Sequence, residues 1–424
     1  MDRESPMHNG RTGAWQAQAL SLTLLALELA ACTVPLQTGA PVAAYSTATV
    51  TSTPTAVAPI ARATGTGAHE AAQEEEGLAV LITPEPAPFP LSERGSYFVG
   101  LLDHEVQDRT RDGRCVGLRL WYPAQRPEGS SGRGTARDAT PDRSGAPYPL
   151  LLMSSKSGEV FAPHLASHGF VVAGCGGQYS ADEWGEWLLD YPRDLLFMLE
   201  SLATHPPATL EEIINTDQTG VMGYSFGGYD TLAVSGARVD PEFYLDRCAR
   251  APQMEPPPAA WWIDYICAPA TQWEEFAAHA GEAITVSDDG LWQPMTDPRI
   301  RAVMPMVPEG AWLFGERGLA AVDRPTLIIG ATADTSNPYD LEAVTIFRQV
   351  GTTEKAMISF AGESHMMVFS LEPVARMKHF ATAFFGTYLQ GRDDYAFYFS
   401  EEFVAQHEDL IWGLIGDNGG DSGQ

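Results

Sequence analysis

Apolar and polar positions follow two alternating rhythms along most of the chain. Six short runs are apolar at nearly every position: "YPLLLMSS", "GFVVAGC", "TGVMGYS", "IRAVMPMV", "RPTLIIGATAD" and "KAMISF". Such runs read as strands covered on both faces. Between and after them lie stretches with apolar residues at helical spacing. These are "VFAPHLASH", "WGEWLLDYPRDLLFMLESLATH", "GGYDTLAVSGAR", "YDLEAVTIFRQVG" and "PVARMKHFATAFFGTYLQG". Further upstream, "CVGLRLWYP" alternates like a half-buried strand that Pro123 should end, with a loop-like Gly/Ser/Pro-rich stretch behind it. Strand–helix alternation predicts an α/β protein with a mostly parallel sheet flanked by helices. In such sheets ligands bind outside the carboxyl ends of the strands. Functional residues are therefore sought just past strand ends.

Ser225 passes that test. It follows the strand "TGVMGY" and precedes a helical run, in the pattern Gly223-x-Ser225-x-Gly227 with a third glycine at 228. A strained strand-to-helix turn of this kind exposes a serine hydroxyl, and glycines prevent clashes where the backbone crowds. A serine nucleophile needs a base, and the base needs an orienting acid. Asp334 directly follows the strand "TLIIGATA", with Asp340 on the next helix as second choice, and His365 follows "KAMISF" by a short loop. His379 lies within an amphipathic helical run, which suits a structural role, and His407 lies near the tail. The order Ser225, Asp334, His365 is the one expected of a serine hydrolase on a parallel sheet. The backbone N–H of Phe226 and one from the loop Ser154-Ser155-Lys156-Ser157-Gly158 are the expected oxyanion donors. Trp312 also falls near a strand end, which makes it a candidate for the substrate pocket.

Residues 238–296 interrupt the alternation. They carry Phe243, Tyr244, Trp261, Trp262, Tyr265, Trp273 and Trp292. Two readings stay open: a cap over the site, or a small packed subdomain. Cys248 and Cys267 share this insertion and are the expected disulfide; Cys115 and Cys175 are either bridged or buried free thiols.

The N-terminal part differs in kind. The apolar run "AWQAQALSLTLLALELAAC" ends in Leu29-Ala30-Ala31-Cys32. It is shorter than the ~20 residues a membrane span needs, and the small-residue ending is that of an export signal. That ending is similar to a bacterial lipobox, which implies lipidation at Cys32. Residues 1–32 are thus expected to be a lipoprotein signal peptide. Residues 33–90, rich in Thr, Ala, Pro and Gly, are expected to be a flexible tether. A catalytic domain would follow over 91–400, then a tail over 401–424. The expected location is outside the cytoplasm, anchored to the cell envelope. A net charge of −29, with 55 acidic against 26 basic residues among 424, argues against nucleic acid as a partner. No metal-ligand cluster or phosphate-cradling loop is legible, so no cofactor is expected.

Taken together, "GSYFVG", "LRLWYPA", "LASHGFVVAG", "YPRDLLFMLESL", "MGYSFGGYDTL", "DPRIRAVMPMVP", "GLAAVDRPTLIIGATAD" and "GESHMMVF" name a family. From about residue 93 to about 400 the chain resembles α/β-hydrolases of the platelet-activating-factor acetylhydrolase and predicted dienelactone hydrolase group, relatives of bacterial polyester-cleaving cutinases. The resemblance implies the α/β-hydrolase fold, a Ser225–Asp334–His365 triad, oxyanion donors at Ser157 and Phe226, and a carboxylic ester as substrate. A lipid-like or small ester is the first expectation. Polyester or cutin hydrolysis is the second, and a ligand-binding lipoprotein with a degenerate site the third. Two positions depart from the family pattern. Tyr224 replaces the usual histidine of the elbow, and Ser155-Lys156 replace the usual His-Gly after the oxyanion strand. Both Tyr224 and Lys156 are therefore candidates for contact with substrate.

Overall fold

The computed structural model describes residues 88–414, apart from 112, 130–133, 155–157 and 176–183, and leaves the side chains of Cys115, Cys175 and Trp184 undescribed. The expected signal peptide, Cys32 and nearly all of the expected tether lie outside the described residues. So do Lys156 and Ser157.

Among the described residues ten strands form one sheet in the order β10-β9-β8-β7-β6-β4-β5-β2-β1-β3. Its centre is the apolar series predicted above: β4 (Tyr148–Ser154), β5 (Val171–Cys175), β6 (Ile214–Tyr224), β7 (Ile300–Met306), β8 (Thr326–Ala331) and β9 (Lys355–Phe360). All neighbouring pairs among these six are parallel. The long hairpin of β1 (Phe98–Asp108) and β2 (Arg114–Ala124) extends one side, with β2 antiparallel to β5. Pro123 does not end β2, which runs on to Ala124. β5 pairs only with residues 118–121, so Pro123 lies past that ladder, where its missing N–H leaves no bond unmade. Both outermost strands are very short: β3 (Thr135–Arg137) beside Val99–Leu101 of β1, and β10 (Leu410–Trp412) antiparallel to β9.

The strand pleat sorts the apolar residues to two faces. Leu151 and Met153 of β4 pack with α1 (Gly158–Ser167) and α9 (Leu371–Gln390) through Phe161, Leu165, Phe380 and Phe384. Leu150 and Leu152 face the other way, onto Leu195, Met198 and Leu199 of α2 (Trp184–Thr204). The same second face carries α3 (Phe226–Val234), α7 (Ala311–Leu319) and α8 (Ala343–Gln349). Burial on both faces is why these strands read as unbroken apolar runs. Each fully buried side chain of this size contributes roughly 1.5–3 kcal/mol. His379 sits inside this core, where its Nδ1 accepts from the Leu91 N–H at 3.1 Å. It is structural, as its helical setting predicted.

The insertion builds its own helical layer with α4 (Pro241–Arg250), α5 (Ala260–Ile266) and α6 (Trp273–Ala280). Cys248 and Cys267 are joined by a disulfide, as expected. Tyr244, Trp262, Phe276 and Trp292 are buried in a cluster shared with α3 and α7, so most of the aromatic content goes into packing. Of the expected tail, residues 401–414 belong to the sheet domain, because β10 pairs with Ile358, Ser359 and Phe360. Among the described residues no helix is long and apolar enough to cross a membrane.

Candidate active site

β5 and β6 flank β4 on opposite sides. The crossover direction therefore reverses at the β4/β6 boundary, and the carboxyl ends of these two strands are where such sheets place ligands. Ser225 is the first residue past β6 and the N-cap of α3. Its φ of 59° lies in the left-handed region, which is uncommon for a residue with a Cβ. Such strain persists only where the surroundings impose it. Here the Ser225 N–H donates to the Met306 carbonyl at the end of β7 at 3.0 Å. The glycines make room: a Cβ on Gly223 would lie 2.2 Å from the Gly227 carbonyl oxygen, and one on Gly228 would lie 2.8 Å from the Cα of Pro308.

The three residues singled out by strand-end position meet. His365 Nε2 lies 2.8 Å from Ser225 Oγ, and His365 Nδ1 lies 2.8 Å from Asp334 Oδ2. Asp334 is buried, and its Oδ1 accepts the N–H groups of Ser336 and Asn337, each at 2.9 Å. A carboxylate so placed only accepts, so Nδ1 carries the proton and Nε2 is left to accept from the serine hydroxyl. The alternative acid, Asp340, is exposed on the protein surface.

Other expected site residues are placed differently. Tyr224 turns into the core, 6% exposed, and its hydroxyl donates to the His365 backbone carbonyl at 2.5 Å. It braces the histidine loop from beneath, a use that depends on a partner 141 residues away. Trp312 is 2% exposed and packs edge-on against Trp262 at 4.8 Å, with the Arg247 guanidinium over its ring. That is the ordinary packing role. Phe226 begins α3, where N–H groups have no helical carbonyl to meet, and its ring contacts Tyr191 and Tyr229 at 5.5 and 5.6 Å.

Four polar residues at the site carry no motif. Asn337 Nδ2 donates to the Val307 carbonyl at 2.8 Å, tying the Asp334 loop to the end of β7. Val307 itself has φ 39°, a rare conformation for a β-branched residue. Asp230 on α3 accepts a short hydrogen bond from Ser154, the last residue of β4. Glu342 accepts the Ala311 N–H at 2.9 Å. Glu309, three residues past β7, is 2% exposed and accepts from the Tyr265 hydroxyl at 3.0 Å. Burial is the main cause that pushes its carboxyl up to about 7, and the charge of Asp334 adds to it. Burial also pushes Asp230 and Glu342 well above the ordinary carboxylate range. The strand-end rule that selected Trp312 would have selected Glu309 first, since it is nearer the end of β7.

Among the described residues one group of side chains could meet a metal ion: Glu186 and Asp190 of α2 with His279 of α6, their ligand atoms within 4.8 Å of one another. Asp190 already pairs with Arg114 at 3.4 Å and receives His279 at 3.2 Å, so its charge is spent locally. A scan against protein-family models gives no match to this chain, and a search of curated proteins gives none either.

Proposed function

We propose that the protein is a serine carboxylic-ester hydrolase with the α/β-hydrolase fold, acting on a lipid-like or small ester. What carries this reading is the relay from Ser225 through His365 to Asp334, with both contacts at 2.8 Å and the serine held in a left-handed turn. Three residues brought together from the ends of β6, β8 and β9 are more than a glycine turn requires. Fold alone would not license an activity; the relay supports this one.

The chemistry runs as two acyl transfers. His365 Nε2 accepts the Ser225 proton as Oγ attacks the ester carbonyl carbon. Asp334 holds the ring with Nδ1–H toward it and balances the imidazolium charge. The developing oxyanion is taken by the Phe226 N–H and by a second N–H from the loop after β4, for which the family resemblance suggests Ser157. His365 then protonates the leaving alcohol. Water, deprotonated by the same imidazole, hydrolyses the acyl-enzyme. Each step conserves the proton between Ser225, His365 and substrate.

The same proposal includes export and lipid anchoring at Cys32, with the active domain held off the envelope by residues 33–90. Labelling with a fluorophosphonate tests the chemistry. The natural chain is expected to label and Ser225→Ala is expected not to, with an unchanged circular dichroism spectrum. Labelling that survives Ser225→Ala would sink the assignment. A chain-length series of p-nitrophenyl esters, beside a phospholipid and a polyester film, then sorts the substrate classes.

A further inference from the structure

We propose that Asp230 is a positioning residue for the oxyanion hole: its hydrogen bond with Ser154 ties the end of β4 to the elbow helix α3, and so sets the spacing of the two chain segments that carry the oxyanion donors. This rests on the ester-hydrolase reading above.

The backbone creates the need for such a tie. β4 and β6 run side by side, and the last residues they pair are Ser154 and Gly223. From there the two chains part. β6 ends at Tyr224 and turns through Ser225 into α3, whose first residue, Phe226, offers one expected donor. β4 ends at Ser154 itself, and α1 begins four residues later at Gly158, beside Met153. The second expected donor belongs to this branch. Among the described residues the β4–β6 ladder goes no further than Ser154 and Gly223, so main-chain pairing stops just short of where the two donors must be held. An oxyanion is stabilised only by donors already about 3 Å from it, which makes the spacing of the two branches a catalytic quantity.

Asp230 supplies the tie. It lies one helical turn after Phe226, and a helical side chain leans back over the turn before it. Its Oδ2 accepts from Ser154 Oγ, a partner 76 residues earlier. Ser154 is 2% exposed and Asp230 fully buried, so water does not compete for the bond. The neighbouring polar groups of α3 are committed elsewhere. The Tyr229 hydroxyl donates to the Leu188 carbonyl of α2, and the Thr231 hydroxyl to the Gly227 carbonyl of its own helix, each at 2.7 Å. Of the three, Asp230 alone bonds to β4. It does so at a cost: its Oδ1 is buried with no hydrogen-bond partner among the described residues, and burial pushes its carboxyl well above the ordinary range. A half-satisfied buried carboxyl is an expensive partner for one serine hydroxyl. Local rules are broken in this way where a site needs its geometry fixed.

Three variants of the full chain test this. Ser154→Ala removes the tie from the β4 side. We expect kcat for a p-nitrophenyl ester to fall by about tenfold to a hundredfold, the effect of donors slightly out of place, with KM little changed. Affinity for a trifluoromethyl ketone, whose adduct with Ser225 puts an oxyanion in the hole, should fall by the same factor. Asp230→Leu should behave alike, whereas Asp230→Asn, which still reaches Ser154, should retain most of kcat. The midpoint of kcat/KM against pH should stay in place, because the contacts of His365 with Ser225 and Asp334 are untouched. A purely structural role would lower Tm and leave kcat and ketone affinity unchanged; that result would overturn the inference and leave the hydrolase reading standing. A shifted midpoint would do the same by placing the damage in the triad, as would a loss in Asp230→Asn as large as in Asp230→Leu. If Asp230→Leu does not fold, Ser154→Ala decides alone. Absence of fluorophosphonate labelling in the natural chain would overturn both readings.

Discussion

Gly223 and Asp334 show how differently single residues can fail at one site. Gly223→Ala places a Cβ 2.2 Å from a backbone oxygen, where no rotamer relieves the contact. We expect a loss of roughly 1–3 kcal/mol, as overpacking costs, seen as a lowered Tm. Asp334→Asn keeps the shape but presents the wrong partner to Nδ1. There we expect kcat to fall by about 10⁴ with KM little changed, because the carboxylate reaches the substrate only through His365. Both residues are legible in the sequence, the glycine from its motif and the aspartate from its place after a strand. Tyr224 and Trp312 are not. Each is a large side chain at the right sequence position, and only the packing reveals that both point inward. Glu309 is missed for the opposite reason. An acid between proline and glycine looks like an ordinary turn until Tyr265, 44 residues earlier, is found above it.

At the scale of elements, the insertion is the part whose role the sequence leaves open. Its aromatics face α3 and α7 and mostly serve packing, while Tyr265 reaches Glu309 from α5. Cys267 ends that helix two residues further on and is bonded to Cys248 on α4. Replacing both cysteines by alanine should cost about 3 kcal/mol on the chain-entropy view, read as a lower Tm. The core strands were all visible as apolar runs because burial on both faces leaves no alternation to confuse with a helix. β10 was not, since three residues after a polar stretch carry no period. Pro123 misled because its cost depends on whether a neighbouring strand continues beside it.

For the whole molecule, two effects make stability depend on pH in the same direction. Glu309 has a folded value of about 7 against an ordinary 4.5. Between these Glu309 binds more protons in the native state than in the unfolded chain, so its contribution falls as pH rises from about 4.5 to about 7, and Asp230 and Glu342, raised by burial too, act in the same direction. The Glu309 share amounts to about 3 kcal/mol, and Glu309→Gln should reduce that slope in a Tm-against-pH series. The net charge of −29 adds self-repulsion that also grows as carboxyls ionise. Salt separates the two, since it screens surface repulsion and hardly reaches a buried group. Added salt should therefore raise Tm at neutral pH while leaving the Glu309 contribution in place. The short outer strands bear on molecules rather than on residues. The outermost strands β3 and β10 are three residues each, too few to seed a continuing ladder, but β3 covers only Val99–Leu101 of the eleven-residue β1, so a chain adding to the sheet would come alongside the far half of β1.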